Sequence, residues 1–165
     1  MDTSISSDTR NAEHSQVLLG VWKLQDWIYT NRNTGESTHP FGITPYGFIT
    51  FGEDGQYFES IVRSVDSTVS ILDSSNPLHV SKDDHVVALT GIWNLSGGEL
   101  SVKILNSYRE TVQGSLLSRE IHISQDRLSL CYSWESEHNT QMSSTSTLKR
   151  WQPGNHTALS PLGHS

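Results

Sequence analysis

The chain has 165 residues, a length that suits one domain whose core buries roughly two thirds of the unfolded chain's surface. Eighteen acidic residues against eleven basic ones give a net charge of −7, and no run of Lys or Arg occurs, which argues against nucleic acid and anionic membranes as partners. Cys131 is the sole cysteine, so no internal disulfide can form, and no stretch approaches the ~20 apolar residues of a membrane helix.

Residues 1–16 are polar and without pattern, which predicts a disordered arm and no secretory signal. With the lone cysteine this points to a reducing cytoplasm. Beyond the arm, short runs rich in Val, Ile, Thr, Tyr, Phe and Trp alternate with Gly, Asn, Asp and Ser clusters, the punctuation of an all-β protein. The first strand is expected over 20–30, followed by turn chemistry at 31–35 and a loop at His39-Pro40-Phe41-Gly42. A strand over 46–51 turns at Glu53-Asp54-Gly55 into a second over 56–63, since Asp-Gly favours a tight hairpin. Residues 65–84 are too long for a hairpin and read as a lid or binding segment. Ser81-Lys82-Asp83-Asp84 has the form of a capping box, so His85-Val86-Val87-Ala88 is read either as a short helical turn leading into the next strand, the reading preferred, or as the start of that strand. Further strands are expected over 89–95, 99–108, 114–124, 127–135 and 145–151, and the tail over 153–165 reads as flexible.

About eight antiparallel strands joined by short turns predict a barrel over 17–152, because closure removes the sheet edges. An eight-stranded barrel is wide enough for a central cavity holding one small ligand. The opening Gly20-Val21-Trp22 fits such a barrel. Gly20 lets the backbone pass close to its neighbours, Trp22 turns inward as a floor, and Arg150 or Lys149 from the last strand lies over the indole. Parity then places Trp27 on the outer face.

These features resemble the calycin hallmark, a Gly-x-Trp at the start and an Arg near the end. More closely, the chain resembles the lipocalin-like domain family of bacteria and fungi. The resemblance rests on Leu19-Gly20-Val21-Trp22-Lys23-Leu24, His39-Pro40-Phe41-Gly42, Pro45-Tyr46-Gly47-Phe48-Ile49-Thr50-Phe51, Asp54-Gly55-Gln56-Tyr57 and Thr90-Gly91-Ile92-Trp93. The chain departs from the family over 65–84, where Ser and Asp stand in place of an Ala-rich helix. The resemblance implies a small-molecule barrel. It also implies a setting beside fungal enzymes that make polyketides, terpenoids or alkaloids, where such barrels act as cyclases or isomerases.

The residues themselves exclude several chemistries. His39, His79, His85, His122 and His138 are dispersed without metal-ligand spacing, and Gly97-Gly98 is a turn rather than a phosphate loop. Gly114-Ser115-Leu116 lacks the nucleophile elbow, and no nicotinamide or flavin fingerprint occurs, so no cofactor is expected.

Strand alternation supplies the candidates. Tyr57, Glu59, Ile61 and Arg63 share one face, Leu117, Arg119, Ile121 and Ile123 another, and Leu128, Leu130, Tyr132 and Trp134 a third. Arg119 among apolar neighbours either polarises a ligand oxygen or pairs with a carboxylate such as Glu59. Glu59 is either a general base or a paired carboxylate. Tyr57 and Tyr132 either donate to an enolate or pack. His39 is either a catalytic imidazole or a loop-fixing group. Trp93 and Trp134 either stack on a flat ligand or fill the core, and Phe41, Arg63 and Tyr108 complete the ligand-binding set. The expected activity is that of a cofactor-independent cyclase or isomerase acting on a small apolar or aromatic metabolite, with a non-catalytic carrier as the alternative. A homodimer and a monomer are both compatible with the sequence.

Overall fold

Alternating residues become alternating burial. In the strand Arg127–Glu135, Leu128, Leu130, Tyr132 and Trp134 are buried while Arg127, Ser133 and Glu135 face outward. The same period runs through the computed structural model, which describes residues 7–64, 77 and 85–152. Its elements are α1 (Ser7–Leu18), β1 (Gly20–Asn31), β2 (Ser37–Thr38), β3 (Tyr46–Phe51), β4 (Gln56–Val62), β5 (Val86–Ser96), β6 (Glu99–Ser107), β7 (Leu116–Ser124), β8 (Arg127–Glu135) and β9 (Gln141–Arg150).

From β3 to β9 each strand pairs antiparallel with the next, and β1 pairs with both β3 and β9. The eight long strands therefore close into a barrel, as the sequence implied. The two-residue β2 hangs outside that ring on Tyr29 and Thr30 of β1. The β3–β4, β5–β6 and β7–β8 hairpins share the end where β1 begins, and the 39–45, 108–115 and 136–140 loops lie at the other.

Trp22 seals the first end. Its side chain is fully buried, and the Arg150 guanidinium lies 4.3 Å from the ring centroid. The cation is therefore Arg150, while Lys149 points outward. Gly20 has φ +111, a left-handed conformation that favours glycine, and a Cβ there would meet Arg150 Nη1 at 3.7 Å. Gly91 meets a harder constraint: a Cβ would sit 2.2 Å from the carbonyl oxygen of Lys103 on the neighbouring strand.

Three local expectations are corrected. Residues 7–18 form a helix rather than part of a disordered arm. The helix is tied down at its C-terminal end, where the last turn's carbonyls lack intrahelical donors. Trp22 Nε1–H donates to Leu18 O (2.8 Å), and Arg150 donates to Val17 O and to Leu19 O (3.0 Å). Residues 86–88 are strand, not helical turn. Val86, Val87 and Ala88 pair with Val62, Ile61 and Ser60, so a β-branched run with a waiting partner joins the sheet. The capping-box residues 81–84, the rest of the 65–84 segment apart from residue 77, and the 153–165 tail lie outside the described residues.

The third correction concerns Trp27, which is fully buried rather than outward-facing. The β1–β9 register shifts between Leu24 and Asp26, so Gln25 is the extra residue of a β-bulge. Before it Trp22 and Leu24 point inward; after it the parity inverts and Trp27 does. Gln25 itself is exposed. Replacing it with Ala should leave the unfolding free energy measured in urea within about 0.5 kcal/mol of wild type. Deleting it leaves Leu24, Asp26 and Trp27 opposite Leu148, Thr147 and Ser146 in an unbroken register, so the deletion variant should keep Trp27 buried and unfold cooperatively. A deletion variant whose tryptophan emission shifts to that of a solvent-exposed indole would show that Gln25 is not the extra residue.

Candidate functional site

β4 turns Tyr57, Glu59 and Ile61 inward, and β7 turns Leu117, Arg119 and Ile121 inward. The sheet curls through β5 and β6 before reaching β7, so closure brings these two strands' inner faces together across the lumen. Arg119 Nη2 donates to Glu59 Oε2 (2.9 Å) and to the Tyr57 hydroxyl (2.9 Å). Tyr57 donates its own proton to the same Glu59 Oε2 (2.8 Å). Glu59 is 0% exposed and Arg119 2%, and they are the buried charges among the described residues.

The pairing is incomplete. Glu59 Oε1 and Arg119 Nε and Nη1 are buried without a hydrogen-bond partner. A buried donor or acceptor left unpaired costs about 1–3 kcal/mol, more when charged. Tyr57 is a different case: with its one proton directed at Glu59 it braces the pair and has none to offer an enolate. Burial pushes the Tyr57 phenol well above its ordinary value of 10.0, reinforced by Glu59 and opposed by the Arg119 charge. Burial acts to lower the pKa of Arg119, but the Glu59 carboxylate, together with Tyr57 and Tyr132, outweighs it and holds the guanidinium above its ordinary value.

Tyr132 lies close enough to act electrostatically on Arg119. From it an aromatic wall runs toward the loop end. Tyr132 packs on Trp134 at 5.5 Å between centroids, Trp134 on Tyr29 at 5.1 Å, Tyr29 on Trp27 at 6.5 Å, and Trp27 on Phe41 at 4.6 Å. Tyr132 and Trp134 keep 8% and 9% of their surface exposed although both point inward, whereas Trp27 and Phe41 keep none.

The other candidates are not gathered at Arg119. His39 Nε2 lies 3.6 Å from Asp26 Oδ1, with both side chains more than one third exposed. That separation is too long for a hydrogen bond, and an imidazole this exposed is not a buried lumenal group. Phe41 is buried at the loop end, its carbonyl accepts from Ser64 N (2.9 Å) and Oγ (3.0 Å), and Arg63 lies 5.7 Å from its ring centroid. Trp93 donates to Gly52 O (3.0 Å) and packs on Phe51, which places it at the hairpin end. Tyr108 sits half-buried where β6 ends, beside Arg109.

Sequence reasoning missed Trp27, Tyr29, Ser144 and Ser146. Ser144 and Ser146 are buried on β9, and Trp27 Nε1–H donates to Ser144 Oγ (2.7 Å). Counting back in twos from the core residue Leu148 would have found both serines. Among the described residues no cluster of His, Cys, Asp or Glu could hold a metal ion, and no helix is long and apolar enough to cross a membrane. A groove of about 500 Å³ lies on the outer face between Tyr46, Phe48 and Trp151, but none of the buried unpaired atoms belongs to it.

Two predictions follow from the pair. Arg119→Leu or Glu59→Leu alone should each cost about 3–5 kcal/mol in urea unfolding, because each strands the opposite charge. The double variant should cost less than either single one; a larger loss would show that the ions do not compensate each other. Tyr57 titrates higher folded than unfolded, so its contribution is complete below about pH 10 and declines as pH rises past the unfolded value. Tyr57→Phe should therefore lose part of the alkaline arm of the stability curve, an arm that would persist unchanged if Tyr57 were solvated.

The lipocalin-like domain model matches residues 19–152, from the start of the barrel to the last described residue. No curated protein matches the chain. Among solved structures, an uncharacterized protein from Bacteroides eggerthii aligns at 10% identity over 81% of this chain and 99% of its own, with a TM-score of 0.41. Bovine odorant binding protein, in complex with a selenium-containing odorant, aligns at 13% identity over 86% and 74%, with a TM-score of 0.45. With its family model spanning the barrel from Leu19 to Gln152, the chain belongs to the lipocalin-like domain family.

Proposed function

We propose that the barrel binds a small, mostly apolar, oxygenated metabolite and acts on it as a cofactor-independent cyclase or isomerase of natural-product biosynthesis in the cytoplasm. One observation carries this reading. A buried carboxylate oxygen, Glu59 Oε1, and two buried guanidinium nitrogens of Arg119 lack protein partners inside a lumen with an aromatic wall. A carrier needs only the wall, whereas catalysis needs a titratable group and an electrophile close together.

In the proposed reaction Glu59 Oε1 removes a proton from the substrate beside its carbonyl group. Negative charge moves onto the carbonyl oxygen, which accepts from the free N–H groups of Arg119, a contribution of about 3 kcal/mol to the transition state. Protonated Glu59 then returns the proton at a second carbon, which shifts the double bond. Alternatively, the enolate closes a ring on an electrophilic carbon of the same molecule and Glu59 protonates the resulting oxyanion. Tyr57 keeps the carboxylate oriented, and Tyr132 and Trp134 hold the apolar body. The resemblance to natural-product barrels supports the substrate class.

The test is turnover of polyketide and terpenoid precursors at substoichiometric protein. Glu59→Gln should lower kcat at least ~100-fold while N-phenyl-1-naphthylamine, a neutral fluorescent dye, still binds. Precursors that bind without turnover by wild type would establish the carrier instead. Turnover that survives both Glu59→Gln and Arg119→Ala would overturn the mechanism.

A further inference from the structure

Resting on that reading of the lumen, the geometry points to a specific polar head on the ligand: an uncharged hydroxy-ketone, whose hydroxyl donates to Glu59 Oε1 and whose carbonyl accepts from Arg119. Three features lead there. The unpaired atoms are of both kinds, one acceptor on Glu59 and N–H donors on Arg119, so a head that only accepts or only donates leaves part of the site unpaired. They belong to side chains joined at 2.9 Å, so the two ligand oxygens must lie close together on one molecule.

The third feature is charge. Arg119 and Glu59 neutralise each other, Tyr57 keeps its proton, and the described residues hold no other buried charge. A ligand carboxylate would therefore enter as a third buried ion with no counter-ion left for it, beside a carboxylate already present. A fatty acid is the wrong occupant, and so is a pure hydrocarbon, which would cover the unpaired atoms without satisfying them. The assigned class is a neutral molecule with an aromatic or apolar body that packs on Tyr132 and Trp134 and carries a hydroxyl and a carbonyl group separated by one carbon. No bond is made or broken in this recognition step.

The experiment is displacement of N-phenyl-1-naphthylamine from the full chain by four compounds of one size: 4-hydroxy-4-phenylbutan-2-one, 4-phenylbutan-2-one, 4-phenylbutan-2-ol and 4-phenylbutanoate. The hydroxy-ketone should bind about ten-fold or more tighter than either mono-oxygenated compound, and the carboxylate should be weakest. Equal affinities across the neutral three, or a carboxylate that binds best, overturn the assignment while leaving a binding lumen in place. A dye that is never bound overturns the binding reading as well. Glu59→Gln adds a test of sign: with its negative charge removed, Arg119 stands alone and the carboxylate should gain on the hydroxy-ketone. An unchanged order in that variant would show that charge balance does not select the head. Because the wild-type series needs no substitution, the assignment can fail even if the variant does not fold.

Discussion

The barrel exists because its first and last strands meet, and that junction is organised around one contact, Arg150 over the ring of Trp22. Residues 22–31 of β1 pair with residues 142–150 of β9, so the chain's two ends form the seam that turns a ribbon into a cylinder. Arg150 does three things there. It covers the indole, donates to the carbonyls that end α1, and lies within reach of Asp126 in the β7–β8 turn. A planar cation with five donors can serve an aromatic face and several carbonyls at once, which a lysine cannot. The seam also explains why a polar N-terminal segment is helical: its last carbonyls find donors on the barrel floor rather than in an apolar stripe of its own.

Closure makes the interior small and shared. Residues 59 and 119 are sixty positions apart and lie on strands that are not neighbours, yet their side chains touch. In an open sheet the same carboxylate and guanidinium would face solvent, where an ion pair contributes about 0–1 kcal/mol. Enclosed, they must compensate each other, and the atoms they leave over become the most chemically demanding groups in the lumen. Stability and binding are thus coupled at one place. The group that neutralises Arg119 also withholds part of itself from that task, and Tyr57 keeps the arrangement oriented.

The aromatic wall shows how a local irregularity sets the shape of a site. Were Gln25 paired in regular register instead of bulged out, Trp27 and Tyr29 would face solvent, and the chain of rings from Tyr132 to Phe41 would be broken in the middle. The bulge leaves Gln25 on the surface and moves two large side chains inward. Small buried serines on β9 leave room for them, and one accepts the Trp27 N–H.

Sequence alone determined the features that depend on period and on single residues. Alternation of apolar side chains decides which face of β7 and β8 turns inward, so the inward placement of Arg119, Tyr132 and Trp134 was legible in the sequence, as was the face that Tyr57 and Glu59 share, though not that this face turns inward. The Gly20-Val21-Trp22 start and the arginine near the end were legible as the barrel's floor for the same reason: few other residues serve those positions. Tertiary structure decided everything that depends on register and on meeting across the lumen. It alone settled whether Arg119 pairs with Glu59, which proton Tyr57 gives away, that His39 sits with Asp26, and that Trp27 lies inside. The physical reason is that one inserted residue inverts every later side chain on a strand, and nothing in the identity of Gln25 announces the insertion. Pairing across a closed barrel is likewise a property of curvature, which no local stretch of chain encodes.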